Sequence, residues 1–422
     1  MNKINVLIIG GGGREHAIAI AVKNSPRCGK LYCAPGNAGI SEIADCHPDV
    51  KATDLDKIVT FVKKHKDIKL VVVAPDDPLA MGLVDRLEKE TAVRVFGPRA
   101  NAAIIEASKV FSKNLMRQYG IPTAAYSVCN TEYEARIAVM KMKFPVVIKA
   151  DGLALGKGVV ICQNLAEAEA AIDNFLVKRV FGTSGSTVVV EEFLTGFEVS
   201  VLAFTDGKTV VPMISSQDHK RAGNGDTGLN TGGMGTYAPN AKYTAAHAAY
   251  AYEKIFLPTI NAMRREGRTF KGVIYFGLMI DGDSVRVLEY NARFGDPEAQ
   301  VVLPLLRTDI LDIFDAVIDG RLDKINIEWS DKCAVCVIAA SGGYPQEYKK
   351  GLPITYGEFD KDITVYHAGT ALAGRKVVTN GGRVLGVTAV SGTLEEAREK
   401  AYRNIRKISF EGMFYRNDIG ER

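Results

Sequence analysis

Short apolar runs alternate with amphipathic stretches over roughly the first hundred residues. Val6–Ile9, Lys30–Cys33, Leu70–Ala74 and Arg94–Phe96 have the length and branching of strands, whereas Glu15–Lys23, Asp56–Lys66 and Leu79–Glu90 carry apolar residues at helical spacing. Such alternation predicts a parallel α/β sheet with right-handed crossovers and ligands beyond its C-terminal strand ends. The pattern then shifts. A helix from Ala107 to Tyr119, carrying Lys109 and Lys113, leads into β-rich sequence at 145–150, 158–162, 186–193 and 198–204, with a helix near Leu165–Leu176. Ser215–Asn240 is glycine-rich and has no period, so it reads as one long loop, and loops of that length inside compact enzymes are usually functional or disordered. A helix over Ala245–Arg265 precedes two strands, Gly272–Ile280 and Val285–Tyr290. The chain closes with β segments at Ala334–Ala340, Thr364–Ala371 and Arg383–Val390 and an amphipathic helix at Leu394–Lys407. The expected class is α/β and α+β multidomain, with boundaries near residues 103 and 327.

Length and composition narrow the class. A chain of 422 residues exceeds one ordinary core, so roughly two to four domains are expected. Hydrophobic residues at 47% and charged residues at 24% fit a soluble globular protein. A net charge of +4, with basic residues spread along the chain, argues against nucleic acid as the main partner. No run of about 18 apolar residues suggests a membrane span. The opening MNKINVLIIGGGG reads as a first strand, not a signal peptide. Seven scattered cysteines suit a reducing cytoplasm. Cys333 and Cys336, three apart on a strand, should face opposite ways and form no metal or redox pair.

Candidate chemistry concentrates in VRVLEYNARFGDP, residues 285–297. Strand alternation puts Glu289 and Asn291 on one face, with Arg293 next on the same parity before a Gly-Asp-Pro turn. A carboxylate and an amide oxygen side by side suit a hard cation such as Mg²⁺ shared with substrate phosphates. The alternative is an exposed strand end with an ion pair. Gly10, Gly11, Gly12 and Gly13 form a glycine-rich turn between strand and helix, where backbone N–H groups can meet an anion. Glu15 replaces the third glycine of a dinucleotide fingerprint, and the second strand lacks a ribose acid, so a smaller phosphate suits better than NAD. Tight packing is the competing explanation. Asp151–Gly158, with Gly156, Lys157 and Gly158, resembles a Walker A loop one spacer short and without the Ser/Thr. It reads as a hairpin closing over phosphates, with Lys149 as a second cation. Beyond the next strand, backbone groups of Glu191, Glu192, Phe193 and Leu194 suit an adenine edge, and a carboxylate such as Glu198 suits ribose hydroxyls.

In order, GGGGREHA (10–17), PGNAG (35–39), FGPRANAA (96–103), SKVFSKNLM (108–116), IPTAAY (121–126) and KADGLALGKGVV (149–160) resemble motifs of one enzyme family. QDHKRAGNGDTGLNTGGMG (217–235), LEYNARFGDPEAQ (288–300), SGGYP (341–345), HAGT (367–370), GGRVLGVTA (381–389) and FEGMFYRNDIG (410–420) continue the match to the C-terminus. The chain resembles the glycinamide ribonucleotide synthetases (phosphoribosylamine–glycine ligases) of the ATP-grasp superfamily. Two departures stand out: Ala74-Pro75-Asp76-Asp77 replaces Gly-Pro-Glu, and Phe276 replaces a small residue. Gly277-Leu278-Met279 stands where many other ATP-grasp enzymes have a metal-binding Glu.

The resemblance implies a Rossmann-like N-terminal domain (1–103), an ATP-grasp domain (104–327, with a lid at about 125–193) and a small β-rich C-terminal domain (328–422). It implies ATP-dependent joining of glycine to 5-phosphoribosylamine through a glycyl phosphate, for purine biosynthesis, with Mg²⁺ or Mn²⁺ held by Glu289 and Asn291. Lys109 and Lys149 are then nucleotide-phosphate cations, and Arg293 a cation at the γ-phosphate or the glycine carboxylate. Gly10–Gly13, Asn37 and Asp76 would hold the phosphosugar, and Asp218, Lys220 and Asp296 would surround glycine and the attacking amine. A transient contact with the preceding pathway enzyme is a further expectation. An NAD-dependent oxidoreductase, a carboxylating ATP-grasp enzyme and a non-catalytic nucleotide-binding scaffold are the rivals.

Overall fold

The computed structural model describes residues 3–152, 158–180 and 186–421. In the N-terminal region β1 (Ile4–Gly10), β2 (Cys28–Pro35), β3 (Asp45–Cys46), β4 (Ile68–Val73) and β5 (Arg94–Phe96) form a parallel sheet in the order β3-β2-β1-β4-β5. Leu7 and Ile9 enter one core, Val6 and Ile8 another, and all four are fully buried. Both faces are therefore covered, which explains why β1 reads as a continuous apolar run. The strand order reverses between β1 and β4. The crevice beyond their C-terminal ends, at Gly10 and Ala74, is thus the topological switch point.

Two helices differ from expectation. The single helix expected over Leu79–Glu90 is two, Asp76–Ala80 and Leu83–Glu90, because Gly82 takes a left-handed φ of 84° between them. The helix expected from Ala107 begins at Lys109 and runs to Gln118, preceded by another at Ala100–Ala107. Ser108 separates them in extended conformation and caps the second, its hydroxyl accepting from Phe111 N at 3.0 Å.

In the central region β6 (Tyr126–Cys129), β7 (Val146–Ala150), β8 (Val159–Cys162) and β9 (Val188–Glu192) make an antiparallel sheet, β6-β9-β7-β8, with its own core of Val139, Ile148, Ile172, Phe175 and Val190. Two longer strands follow as β10 (Phe197–Thr205) and β11 (Val210–Pro212). The stretch 215–240, expected as one long loop, holds four short strands: β12 (Gln217–Asp218), β13 (Arg221–Gly223), β14 (Thr227–Asn230) and β15 (Gly235–Ala238). Then β16 (Gly272–Asp281) and β17 (Ser284–Asn291) complete a sheet β11-β10-β16-β17.

The C-terminal region is built on β18 (Cys333–Ala340), which pairs with Arg383–Ser391 on one side and with β15 on the other. The glycine-rich stretch is thereby anchored by a strand some hundred residues away, and no local periodicity announces it. Cys336 and Cys333 do lie on opposite faces, in different cores. Phe276 is fully buried, its ring centroid 4.3 Å from Phe256 and 5.7 Å from Tyr290, so that departure is a packing change.

Candidate active site

The end of β17 is re-aimed by a bulge. Gly277 faces Glu289 across the ladder, but Leu278 already faces Val287, so Leu288 is an extra residue. Simple alternation would put Glu289 and Asn291 on the same face as Val285 and Val287. Instead Val285, Val287 and Tyr290 share one core, and Glu289 and Asn291 point into the cleft. Gly277 makes this possible, since a Cβ there would lie 3.1 Å from Glu289 Cγ. The absence of a Glu on β16 is thus matched by room for the one on β17.

Around this strand end stand two clusters of charge. Lys220 Nζ lies 3.0 Å from Glu198 and 3.3 Å from Glu289. Glu289 is 39% exposed, and Lys220, joined by Lys149 and Lys109, outweighs desolvation and holds its carboxyl down at about 2. Burial would strip the Lys220 proton, but Glu198 and Glu289 more than restore it. Lys220 is therefore a fixed cation and not a base. In the second cluster Glu191 receives Lys113 at 2.9 Å and Lys149 at 3.0 Å, with Glu191 and Lys113 only 2% and 3% exposed. Lys149 also donates to Leu288 O at 3.2 Å, and Lys109 to Gly152 O at 2.9 Å. Burial pulls Lys113 down to about 8 and lowers Lys109 as well.

The backbone of Glu191 is flanked by β6 and β7, and Glu192 N–H donates to Ala125 O at 3.0 Å. The Glu192 donor is thus held within the fold, so an adenine edge there would meet carbonyls and the two residues that follow. Half-exposed Phe193 and buried Leu194, beyond the strand, remain. Glu192 accepts from Arg286 at 3.0 Å, and Glu198 lies at Lys220.

Arg293 pairs with Glu106 at 2.9 Å and donates to Asn291 Oδ1 at 3.3 Å. Its buried Nε has no partner among the described residues. Asp218 Oδ1 is likewise buried and unpartnered. Burial, then Glu298, pushes the Asp218 carboxyl well above the usual range against Lys220 and Arg383. Asp296 accepts from Gln300 at 2.8 Å and lies 3.5 Å from Arg383, whose Nη1 also donates to Asp296 O at 2.6 Å. The C-terminal region thus reaches the centre through Arg383. Neither Arg383 nor Lys113, Glu106 or Glu298 was singled out by sequence as a site residue, although GGRVLGVTA, SKVFSKNLM and LEYNARFGDPEAQ contain Arg383, Lys113 and Glu298 in turn.

At the switch point the glycines mostly clear space for the protein itself. A Cβ on Gly10 would lie 2.5 Å from Glu15, on Gly11 2.4 Å from Gly36 O, and on Gly13 2.4 Å from Gln300. Gly12 N–H donates to Glu15 at 2.5 Å, and Arg14 N–H meets Asp296 at 3.4 Å, so these helix-terminal donors already face carboxylates. Asn37 is not free to hold a phosphate through its side chain. Its amide donates to Gly11 O and His367 O, each at 2.8 Å, and accepts from Ile40 N at 2.9 Å. Burial works against the Asp76 charge, but Arg293 and Arg14 hold its carboxyl below the usual range, whereas burial and Asp76 raise Asp77. Asp76, despite its shorter reach, is the acid that faces the cations.

Gly156 and Lys157 lie outside the described residues; Gly158 O accepts from Ala150 N at 2.8 Å. Among the described residues no helix is long and apolar enough to cross a membrane, and no cluster of three or more His, Cys, Asp or Glu has metal-binding geometry. Two oxygen donors at Glu289 and Asn291 still fit a Mg²⁺-like ion, which keeps few protein ligands and takes the rest from phosphates and water.

Three family models match in succession: phosphoribosylglycinamide synthetase N domain over 4–106, ATP-grasp (A) domain over 107–299 and C domain over 334–422. A phosphoribosylamine–glycine ligase of Caldanaerobacter subterraneus subsp. tengcongensis is 48% identical over 416 residues, 99% of each chain. The crystal structure of the same-named ligase from Thermotoga maritima superposes with a TM-score of 0.87 at 35% identity, covering 99% of this chain and 100% of that one. A biotin carboxylase domain from Hydrogenobacter thermophilus, at 15% identity and TM-score 0.76, covering 98% of this chain and 92% of that one, shares the fold alone. The chain belongs to the phosphoribosylglycinamide synthetase family.

Proposed function

We propose that the protein joins glycine to 5-phosphoribosylamine at the expense of ATP, giving glycinamide ribonucleotide, ADP and phosphate for purine biosynthesis. The observation that carries the chemistry is the pair of opposed charge clusters meeting at the bulged end of β17. A carboxylate is a poor electrophile with no good leaving group. Phosphorylation to glycyl phosphate supplies both properties, after which the sugar amine attacks.

Lys149 and Lys109 fix the nucleotide phosphates, and Phe193 and Leu194 border the base. Glu289 and Asn291 would hold a divalent cation, Mg²⁺ or Mn²⁺, which would supply Lewis-acid neutralisation of the transferring group. The unpartnered Arg293 Nε is available to the γ-phosphate or the glycine carboxylate. Asp218, whose carboxyl burial pushes well above the usual range, and the fixed ammonium of Lys220 orient glycine and amine. Catalysis is positioning and electrostatics, with no protein nucleophile. Glycines 10–13, Asp76 and Asp296 border the phosphosugar at the switch point. The glycine-rich segment Gly152–Gly158 would shield the acyl phosphate from water. Domain boundaries near 103 and 327, a cytoplasmic location and direct transfer of the labile amine from the enzyme that makes it belong to the same proposal.

ADP release should require both glycine and the amine. Alanine or serine should react roughly 10- to 200-fold more slowly, the discrimination a small pocket achieves against extra atoms. Equal rates with glycine and serine would remove the glycine assignment.

A further inference from the structure

Cys33 and Cys46 occupy partner positions on the neighbouring parallel strands β2 and β3. Partners on adjacent strands are about 4.8 Å apart. A disulfide accepts Cα separations of about 4.4 to 6.8 Å. Both side chains face the same core, and each thiol shifts the ionisation of the other. Cys33 is sealed and Cys46 half-buried, so an oxidant has one point of entry. The pair also touches the switch-point loop. Cys33 Sγ donates to Gly10 O at 3.3 Å, and Gly10 O takes Gly36 N–H at 3.1 Å. A Cβ at Gly36 would lie 2.4 Å from Cys46 Sγ and one at Gly11 2.4 Å from Gly36 O, so thiols, Gly36 and the glycine loop are in direct succession.

We propose that Cys33 and Cys46 form a reversible disulfide that weakens binding of the phosphosugar amine by displacing Gly10 and Gly36. The effect on binding rests on the reading of Gly10–Gly13 as a phosphosugar loop, whereas the disulfide itself does not. The Cys46 thiolate attacks hydrogen peroxide: an S–O bond forms, the O–O bond breaks and hydroxide leaves, giving a sulfenic acid. Cys33 then attacks that sulfur, the S–S bond forms, and water departs with its proton. Two thiols lose two electrons, and one peroxide becomes two waters. Its neighbour Cys33 holds the Cys46 thiol below its usual range, while Cys46 and burial push Cys33 up, so the accessible thiol is the better nucleophile. Cys28, Cys129, Cys162 and Cys336 are all pushed up by burial.

The test treats the whole enzyme with hydrogen peroxide or diamide, blocks remaining thiols under denaturing conditions and maps the peptides. A Cys33–Cys46 linked peptide should appear first. With it KM for the amine should rise about tenfold or more, KM for ATP should change less than twofold, and dithiothreitol should reverse the change. Cys46→Ser should keep basal activity and resist the oxidant. Loss of activity with both thiols still alkylatable, or equal sensitivity in Cys46→Ser, overturns the proposal. A separate arm, Gly11→Ala in reduced enzyme, reads the loop alone. If it leaves KM for the amine unchanged, the loop reading fails, and the linked peptide still decides the disulfide.

Discussion

The two charge clusters beside β17 are near inverses. At Glu191 one carboxylate lies between two ammoniums, leaving one positive charge over, and the group is sealed from water. At Lys220 one ammonium lies between two carboxylates, leaving one negative charge over, and the group is open to the cleft. The first surplus suits phosphate oxygens and the second suits a metal ion. They are joined by Lys149, which touches Glu191, donates to Leu288 O and helps depress Glu289. Burial decides what each cluster does besides binding. The sealed one is part of the fold and cannot lose a member cheaply, because an uncompensated buried charge has no water to fall back on. The open one is screened and adds little to stability.

Glu191→Gln should break the comparison most sharply on the sealed side. Lys113 and Lys149 would face each other without a counter-charge, at a cost of about 3–5 kcal/mol in chemical or thermal unfolding. The Mg²⁺ requirement of the enzyme that remains folded should be unchanged. A melting temperature equal to the parent's would mean that Glu191 is no keystone. On the open side the order inverts. Glu289→Gln should lower turnover by roughly a hundredfold or more, about 2.7 kcal/mol of barrier, and raise the Mg²⁺ requirement while the melting temperature stays near the parent's. Asn291→Asp should keep the metal but lower activity. Parental Mg²⁺ dependence in Glu289→Gln, together with a fall in melting temperature, would make the open cluster a structural ion pair.

How far these clusters were legible in sequence differs in the same way. Glu289, Asn291, Lys149 and Lys220 were readable as candidates, and the N-terminal sheet followed from apolar runs that β1 and β4 bury on both faces. What sequence could not supply was the bulge at Leu288. Strict alternation happens to keep Glu289 and Asn291 together while assigning them to the core face. Nor could it supply Lys113 and Glu106, whose roles arise from partners about 80 and 190 residues away. Asn37 misled for a related reason. An amide after a Pro-Gly turn looks like a ligand group, but its hydrogen bonds go to Gly11, Ile40 and His367, the last on a strand no local rule connects to it. The stretch 215–240 lacked periodicity because its strands are two to four residues long and the last of them is held by β18.

Lys220→Met should have the smallest effect on stability and asks what holds the open cluster together. The side chains concerned are about one-third exposed or more, so losing two screened contacts should cost no more than about 1 kcal/mol and a few degrees of melting temperature. Its informative readout is pH. Glu289 is depressed chiefly by Lys220 and secondarily by Lys149 and Lys109. A depressed carboxyl contributes stability above its unfolded pKa, and that contribution is lost as pH falls through the folded value. In the parent the loss spans roughly pH 4.5 down to about 2. Removing Lys220 should lift the folded value toward the ordinary one and narrow the window from its acid end, leaving acid stability less dependent on pH there. Metal binding should not weaken, because the ammonium and a divalent cation compete for the same carboxylate oxygens. If Lys220→Met instead raised the Mg²⁺ requirement as much as Glu289→Gln does, the lysine would be positioning the carboxylates for the metal, and the open cluster would need all three members to work.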